Sequence, residues 1–263
     1  FTRVYVPDPD GSTLRELAKA GSSTVTLKAE MKWEKIRAAN IVGWVRGTDA
    51  AAASQTVIIG AHYDSWSVVP GLSPGADESA GIASLLELAR FFAAHPARRS
   101  VLFVAFAGHN QGLSGSRQFV EDTYFGSNPL QVDLSRSFTS VLHLSTDTDQ
   151  MFLPGFGYFY KMNEVGTRRG YWGAQGVRWE VIERFIQPEI ERAWTAKYGR
   201  TWMVDTRNSG GFGRLEDYWW LCIGSRYNLD SEPFSVSGGT GFGLVTAKAY
   251  MALWGTPFDT LEG

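Results

Sequence analysis

A single cysteine in 263 residues rules out an internal disulfide. That residue, Cys222, lies in YWWLCIG, and its apolar neighbours mark it as a buried structural thiol rather than a reactive one. Histidine is also scarce: His62, His95, His109 and His143 are the full set, so nothing after Leu144 supplies an imidazole. Charge of one sign is missing too. Lys and Arg number 25 against 27 Asp and Glu, and a net charge of −2 gives no electrostatic reason to expect nucleic acid or an anionic membrane as partner. No apolar run reaches the roughly 18–20 residues that a membrane span needs, and there is no heptad, fixed-period repeat or low-complexity tract. Two glycine-rich stretches, RNSGGFGR (207–214) and SVSGGTGFG (235–243), are expected to be loops and match neither a dinucleotide fingerprint nor a P-loop, which counts against a phosphate cradle. A start at Phe1 rather than Met is expected of a chain that has lost a signal, an anchor or a preceding domain.

What is present is an ordinary globular composition, 44% hydrophobic and 20% charged, enough for one sizeable core or one domain with an appendage. Residues 1–21 read as a short strand, a turn and a helix carrying Leu14, Leu17 and Ala18, closed by Gly21. STVTLKAEMKW (23–33) and NIVGWVRG (40–47) read as neighbouring antiparallel strands, with DAAAAS (49–54) a surface loop. From residue 55 the pattern alternates strand and helix. QTVIIGAHYD (55–64), SVLFVAFAG (100–108) and SFTSVLHLS (137–145) are apolar runs of the kind buried on both faces of a sheet. Between them come a helix at 77–95, with Ile82, Leu85, Leu86, Ala89 and Phe92 along one face, and a second at 111–125. This order predicts an α/β fold with right-handed crossovers: a three-layer sandwich, its mostly parallel central sheet flanked by helices. Further on, the residues predict a helix over 178–199 divided by Pro188, a buried strand over 217–225 and a closing helix over 241–255.

Polar residues gather at the strand ends, where open α/β sheets do their chemistry: His62 and Asp64 in GAHYDS, His109 and Asn110 in AGHNQG, and His143 in VLHLS. Asp77 opens the first long helix, either as its N-terminal cap or as a ligand. Histidine nitrogens and carboxylates converging from several elements are what zinc requires. The aromatic clusters FGYFY (156–160) and YWW (218–220) belong to the core or line a groove; Phe156, Tyr158 and Trp219 are the candidate binding residues. GLSGS (112–116) lacks the last glycine of a serine nucleophile elbow, and no base partner is evident.

Three stretches in order, VIIGAHYDS, PGADESAGIASLLELARFF and SVLFVAFAGHNQGLSGSRQFV, resemble the zinc-dependent aminopeptidase family, which also contains glutamate carboxypeptidase, glutaminyl cyclase and the transferrin receptor ectodomain. The resemblance is dense from Asn40 to Val120. It implies that residues 1–38 are the C-terminal remnant and linker of a protease-associated insert domain, and that 39–263 form the aminopeptidase-like domain. It also implies metal ligands at His62 and Asp77, with Asp64 orienting the site. Active members carry a Glu-Glu pair where this chain has His109 and Asn110. The first Glu is the general base and the second a zinc ligand, for which a neutral amide is a poor replacement. The next ligand position falls at Ser145, with Asp147 two residues out of register, and the last requires a histidine that this chain lacks near SVSGGTGFG.

The resemblance therefore implies a degraded metal site in a non-catalytic binding or scaffolding module of a larger extracytoplasmic protein, periplasmic, secreted or membrane-anchored. A protein or peptide partner is expected, with no nucleic acid, no membrane span within this chain and no working cofactor beyond zinc at a residual site. The transferrin receptor is the family's example of a fold kept after its metals were lost. The alternative is a hydrolase with a rebuilt single-zinc site on His62, Asp77 and His109, with Asp64 or Glu78 as base.

Overall fold

The computed structural model describes residues 6–144, apart from 22, 23, 29, 31, 33, 53, 54 and 77, together with 155–159, 187–198, 230–237, 240–247 and 255–260. The fold is built on one six-stranded sheet: β1 (Ile41–Val45), β2 (Val57–His62), β3 (Val101–Phe106), β4 (Phe138–His143), β5 (Gly155–Phe159) and β6 (Thr240–Ala247), in the order β1-β3-β2-β4-β6-β5. The inner pairs β3–β2, β2–β4 and β4–β6 are parallel, and the edge strands β1 and β5 are antiparallel to their neighbours. The helices are α1 (Asp10–Lys19), α2 (Ser79–Ala94), α3 (Ser114–Tyr124), α4 (Gln187–Tyr198) and α5 (Glu232–Val236).

Alternation along the strands divides the core between the two faces of the sheet. Ile58, Leu102, Val104, Phe106 and Val141 pack with Phe119 and Val120 of α3 and Phe234 of α5. Ile59, Ala61, Val101, Phe103 and Ala105 pack on the other face with Ile82, Leu85, Ala89 and Phe92 of α2. Helices thus cover both faces, and the expected three-layer α/β sandwich is what forms. Gly60 makes room on the first face: a Cβ there would stand 2.4 Å from Cε2 of Phe106, whose ring lies across it.

Several local expectations differ from the structure. The described residues between 24 and 40 form no strand, and β1 pairs with β3 instead. The physical reason is burial: Val25 and Ile36 are exposed, so that segment has no apolar face to place against a sheet. The expected closing helix also fails over its first part, because residues 240–247 are strand β6, paired with β4 on one side and β5 on the other. TGFGLVTA combines glycines with aromatic and β-branched residues, and interior pairing on both sides outweighs the helix-forming residues that follow. For the same reason 235–243 is not an open loop; α5 ends at Val236 and β6 starts at Thr240. Leu86 is more than half exposed and does not join the α2 core face. Pro188 sits in the first turn of α4, where its missing N–H costs nothing, rather than at a kink within that helix. The expected strand at 217–225 and residues 178–186 lie outside the described residues.

Candidate metal centre

The chain runs from β2 outward to β3, then crosses back to β4 on the other side of β2, so the strand order, though not the strand direction, reverses between β2 and β4. The carboxyl ends of strands flanking such a reversal form the natural binding crevice of an open α/β sheet. His62 is the last residue of β2 and His143 the last of β4. The β2–β4 register, Gly60 opposite Val141, sets the two histidines level when continued by two residues.

His109 arrives from the loop between β3 and α3. Gly108 at φ +69°, Gly112 at +71° and Leu113 at +60° turn the chain sharply there. A side chain at Gly108 would collide with the Ser114 hydroxyl, 2.0 Å from where its Cβ would stand, so the turn requires glycine. The loop is tied back by Ser114 N–H donating to the Gly108 carbonyl at 3.0 Å, and by His109 N–H donating to Asp64 Oδ1 at 3.2 Å. Asp64 therefore holds the backbone that presents the His109 ring.

The fourth member is Asp230, just ahead of α5 and fully buried. Its Oδ2 lies 2.7 Å from His109 Nδ1, its Oδ1 accepts from the Ser116 hydroxyl at 2.7 Å, and its own N–H donates to His143 Nε2 at 3.2 Å. His62 stacks on His109 with ring centroids 4.2 Å apart and planes at 14°, while His143 lies 5.6 Å from His62 and 5.4 Å from His109. One ligand atom from each of His62, His109, His143 and Asp230 falls within 4.8 Å of the others.

The environment sets the charges of this cluster. Burial pushes His143 down to about 3, against the pull of the Asp230 carboxylate and with the help of His62 and His109, so its ring is neutral. Burial works the same way on His109, but the hydrogen bond and charge of Asp230, with Glu78 and Asp64 behind, raise it above the ordinary histidine value. Burial would raise the Asp230 carboxyl; its hydrogen bond to His109 and the neighbouring charges hold it below the usual carboxylate range.

Of the residues expected from sequence, His62, Asp64 and His109 meet here, and the Asn110 amide nitrogen is buried nearby without a hydrogen-bond partner. Phe156 and Tyr158 lie on β5 at the sheet edge, two strands from β4, opposite Thr246 and Leu244 of β6. Asp77, Ser145 and Trp219 lie outside the described residues. In the sequence His143 marks only the end of a strand. No local pattern marks Asp230, whose partners His143 and His109 lie 87 and 121 residues away. Among the described residues, the C-terminal contribution to the site comes from Asp230.

This is an α/β domain with the fold of the zinc aminopeptidases. Residues 40–143 match the profile of Peptidase family M28, the stretch in which the motif resemblance is densest. A probable leucine aminopeptidase 2 of Aspergillus oryzae is 32% identical over 111 residues, spanning 42% of this chain and 21% of that protein. BOS complex subunit NCLN of Gallus gallus is 43% identical over 74 residues, spanning 26% of this chain and 13% of that protein. In fold, a zinc aminopeptidase from Bacillus subtilis superposes with a TM-score of 0.52 at 20% identity, over 85% of this chain and 44% of that one. The chain spans about a fifth or less of the curated relatives it matches here.

Proposed function

We propose that this domain is a non-catalytic member of the zinc-aminopeptidase fold, serving as a binding or scaffolding module of a larger extracytoplasmic protein. One observation carries the reading. The position where the resemblance requires a free glutamate base holds His109, whose Nδ1 is engaged by the buried Asp230 and whose backbone is engaged by Asp64. An imidazole there has a different reach from a glutamate side chain, its Nδ1 is already taken by Asp230, and loss of the family's general base costs about 10²–10⁴-fold. The next position, Asn110, supplies a neutral amide where zinc would want a carboxylate. The residues present therefore do not fit the two-zinc centre that the family implies.

Assembly with a protein or peptide is the partner class this reading favours, and a relative that is a subunit of the BOS complex supports it. Phe156, Tyr158 and Trp219 remain the proposed contact residues, with Asp77 and His62 the retained family ligand positions. The exposed α1, which buries no residue, and the exposed residues ahead of β1 support a division at residues 38–39, with 1–38 left from an insert domain. Among the described residues no helix is long and apolar enough to cross a membrane.

The reading is tested with aminoacyl-p-nitroanilides, with and without added zinc. No hydrolysis above background is expected. Turnover that survives purification and disappears in His62→Ala would contradict the reading and favour the rebuilt hydrolase.

A further inference from the structure

His62 is buried, with 6% of its surface exposed, yet neither of its ring nitrogens has a hydrogen-bond partner. A buried polar atom left unpaired costs roughly 1–3 kcal/mol, so such an atom calls for an explanation. The nearest acceptors stand too far off for hydrogen bonds: Glu78 Oε1 at 3.6 Å from Nε2, and Asp230 Oδ2 at 3.9 Å from Nδ1. Two other imidazoles crowd the same space, at centroid distances of 4.2 and 5.6 Å. Three imidazoles and one carboxylate converge here from four separate segments, and His62 is the member whose ring nitrogens the others leave unpaired. A cation at their centre would take one of those nitrogens as a ligand.

We propose that His62, His109, His143 and Asp230 form a closed site for one divalent ion of the zinc class, which fastens the fold rather than catalysing a reaction. In a tetrahedral zinc centre with bonds of about 2.0–2.1 Å, ligand atoms sit roughly 3.4 Å apart. The four donors lie within 4.8 Å of one another, and closing the cage requires His62 or His109 to turn out of their 14° stack, because stacked rings cannot aim in-plane lone pairs at one ion. The ion would replace the hydrogen bond between His109 Nδ1 and Asp230 Oδ2, and the weaker one that His143 Nε2 accepts. Ser116, on Asp230 Oδ1, fixes the carboxylate as outer partners of metal ligands do. Three nitrogens and one oxygen suit zinc and cobalt and are wrong for calcium or magnesium. This set shares only His62 with the ligand positions that the family resemblance implies.

Four protein ligands leave no open position for water, which is the arrangement of a structural zinc rather than a catalytic one. That clause rests on the non-catalytic reading; the ion site itself rests on geometry. The ion would clamp the ends of β2 and β4 to the β3–α3 loop and to the start of α5. These segments span residues 62 to 230, so the clamp would close long loops of chain.

The test is titration of the full 263-residue protein with Co²⁺, followed by visible absorption, and with Zn²⁺ by calorimetry. Expected are one ion per chain, intense tetrahedral cobalt bands, and displacement of cobalt by zinc. His143→Ala and Asp230→Asn should each weaken binding by at least about 100-fold, the upper end of what loss of an outer partner costs, while Asp133→Asn, at an exposed position, stays within about threefold of wild type. Circular dichroism checks that the variants fold. Should either unfold, His109→Ala carries the same expectation, and the wild-type cobalt spectrum stands by itself. No saturable cobalt, weak octahedral bands, or binding lost in Asp77→Asn but kept in His143→Ala would overturn the site. Peptide hydrolysis by a protein carrying one tetrahedral ion would instead overturn the non-catalytic reading and leave the ion site standing.

Discussion

Asp230 decides the character of the strand-end site, because its carboxylate bonds the His109 ring and the Ser116 hydroxyl while its backbone N–H donates to the His143 ring. The Ser116 hydroxyl is itself completely buried and donates to a charged oxygen. Ser116→Ala is therefore expected to destabilise the fold by about 1.5–3 kcal/mol, the usual range for a hydrogen bond to an ionised partner, as read by urea unfolding. Glycines make an equally sharp statement at this scale. A Cβ on Gly115 would lie 2.2 Å from the Ala107 carbonyl oxygen and 2.5 Å from Asn40 Oδ1. Neither atom can retreat cheaply, since the first is main chain and the second is bonded on both sides. Gly115→Ala should therefore cost about 1–3 kcal/mol or more, and unfolding midpoints check it. Asp77, whose role the sequence suggests most directly, is assigned by resemblance alone.

At the scale of elements, one side chain joins the first strand to the site. Asn40, just ahead of β1, donates to the Gly115 carbonyl at 2.9 Å and accepts from the Ala107 N–H at 3.1 Å. It bridges the end of β3 to the start of α3, the two elements between which the His109 loop is strung. Asn40→Ala leaves both main-chain groups without that partner and should destabilise by about 1–3 kcal/mol, with faster amide exchange in the His109 loop as the local sign. Legibility was uneven among the elements, for physical reasons. β2, β3, α2 and α3 were readable because each is long, apolar on the faces it buries and bounded by polar or glycine turns. Residues 23–33 carry a similar β-rich composition but bury nothing, and composition cannot say whether a neighbour exists to cover a face. The segment that became β6 was misread because Ala, Met and Leu after residue 246 favour helix, while the pairing that makes 240–247 a strand is supplied by β4 and β5, about a hundred residues earlier. His62 and His109 were legible from motif position. His143 was visible only as a strand end, and its place beside His62 follows from a register that no local pattern encodes. Asp230 could not be found from sequence, since its partners are 87 to 121 residues away.

The whole molecule combines the zinc-aminopeptidase fold with a strand-end cluster of three histidines and one aspartate, and its stability should show this. If the histidine cluster holds an ion, free zinc at a hundred times its dissociation constant adds about 2.7 kcal/mol to stability. For a chain of this size that corresponds to a rise of roughly 5–10 °C in the melting temperature, reversed by a chelator, and differential scanning calorimetry checks it. The gain should vanish in Asp230→Asn. A two-metal hydrolase predicts a different object in the same cavity, with paired ions about 3.5–4 Å apart and an open position for water. Zinc-edge X-ray absorption of the zinc-loaded protein distinguishes them most directly. The account predicts a single zinc in a four-coordinate shell dominated by imidazole scattering, with no metal–metal vector. A metal–metal vector at about 3.5–4 Å, with two zinc ions per chain, would contradict it.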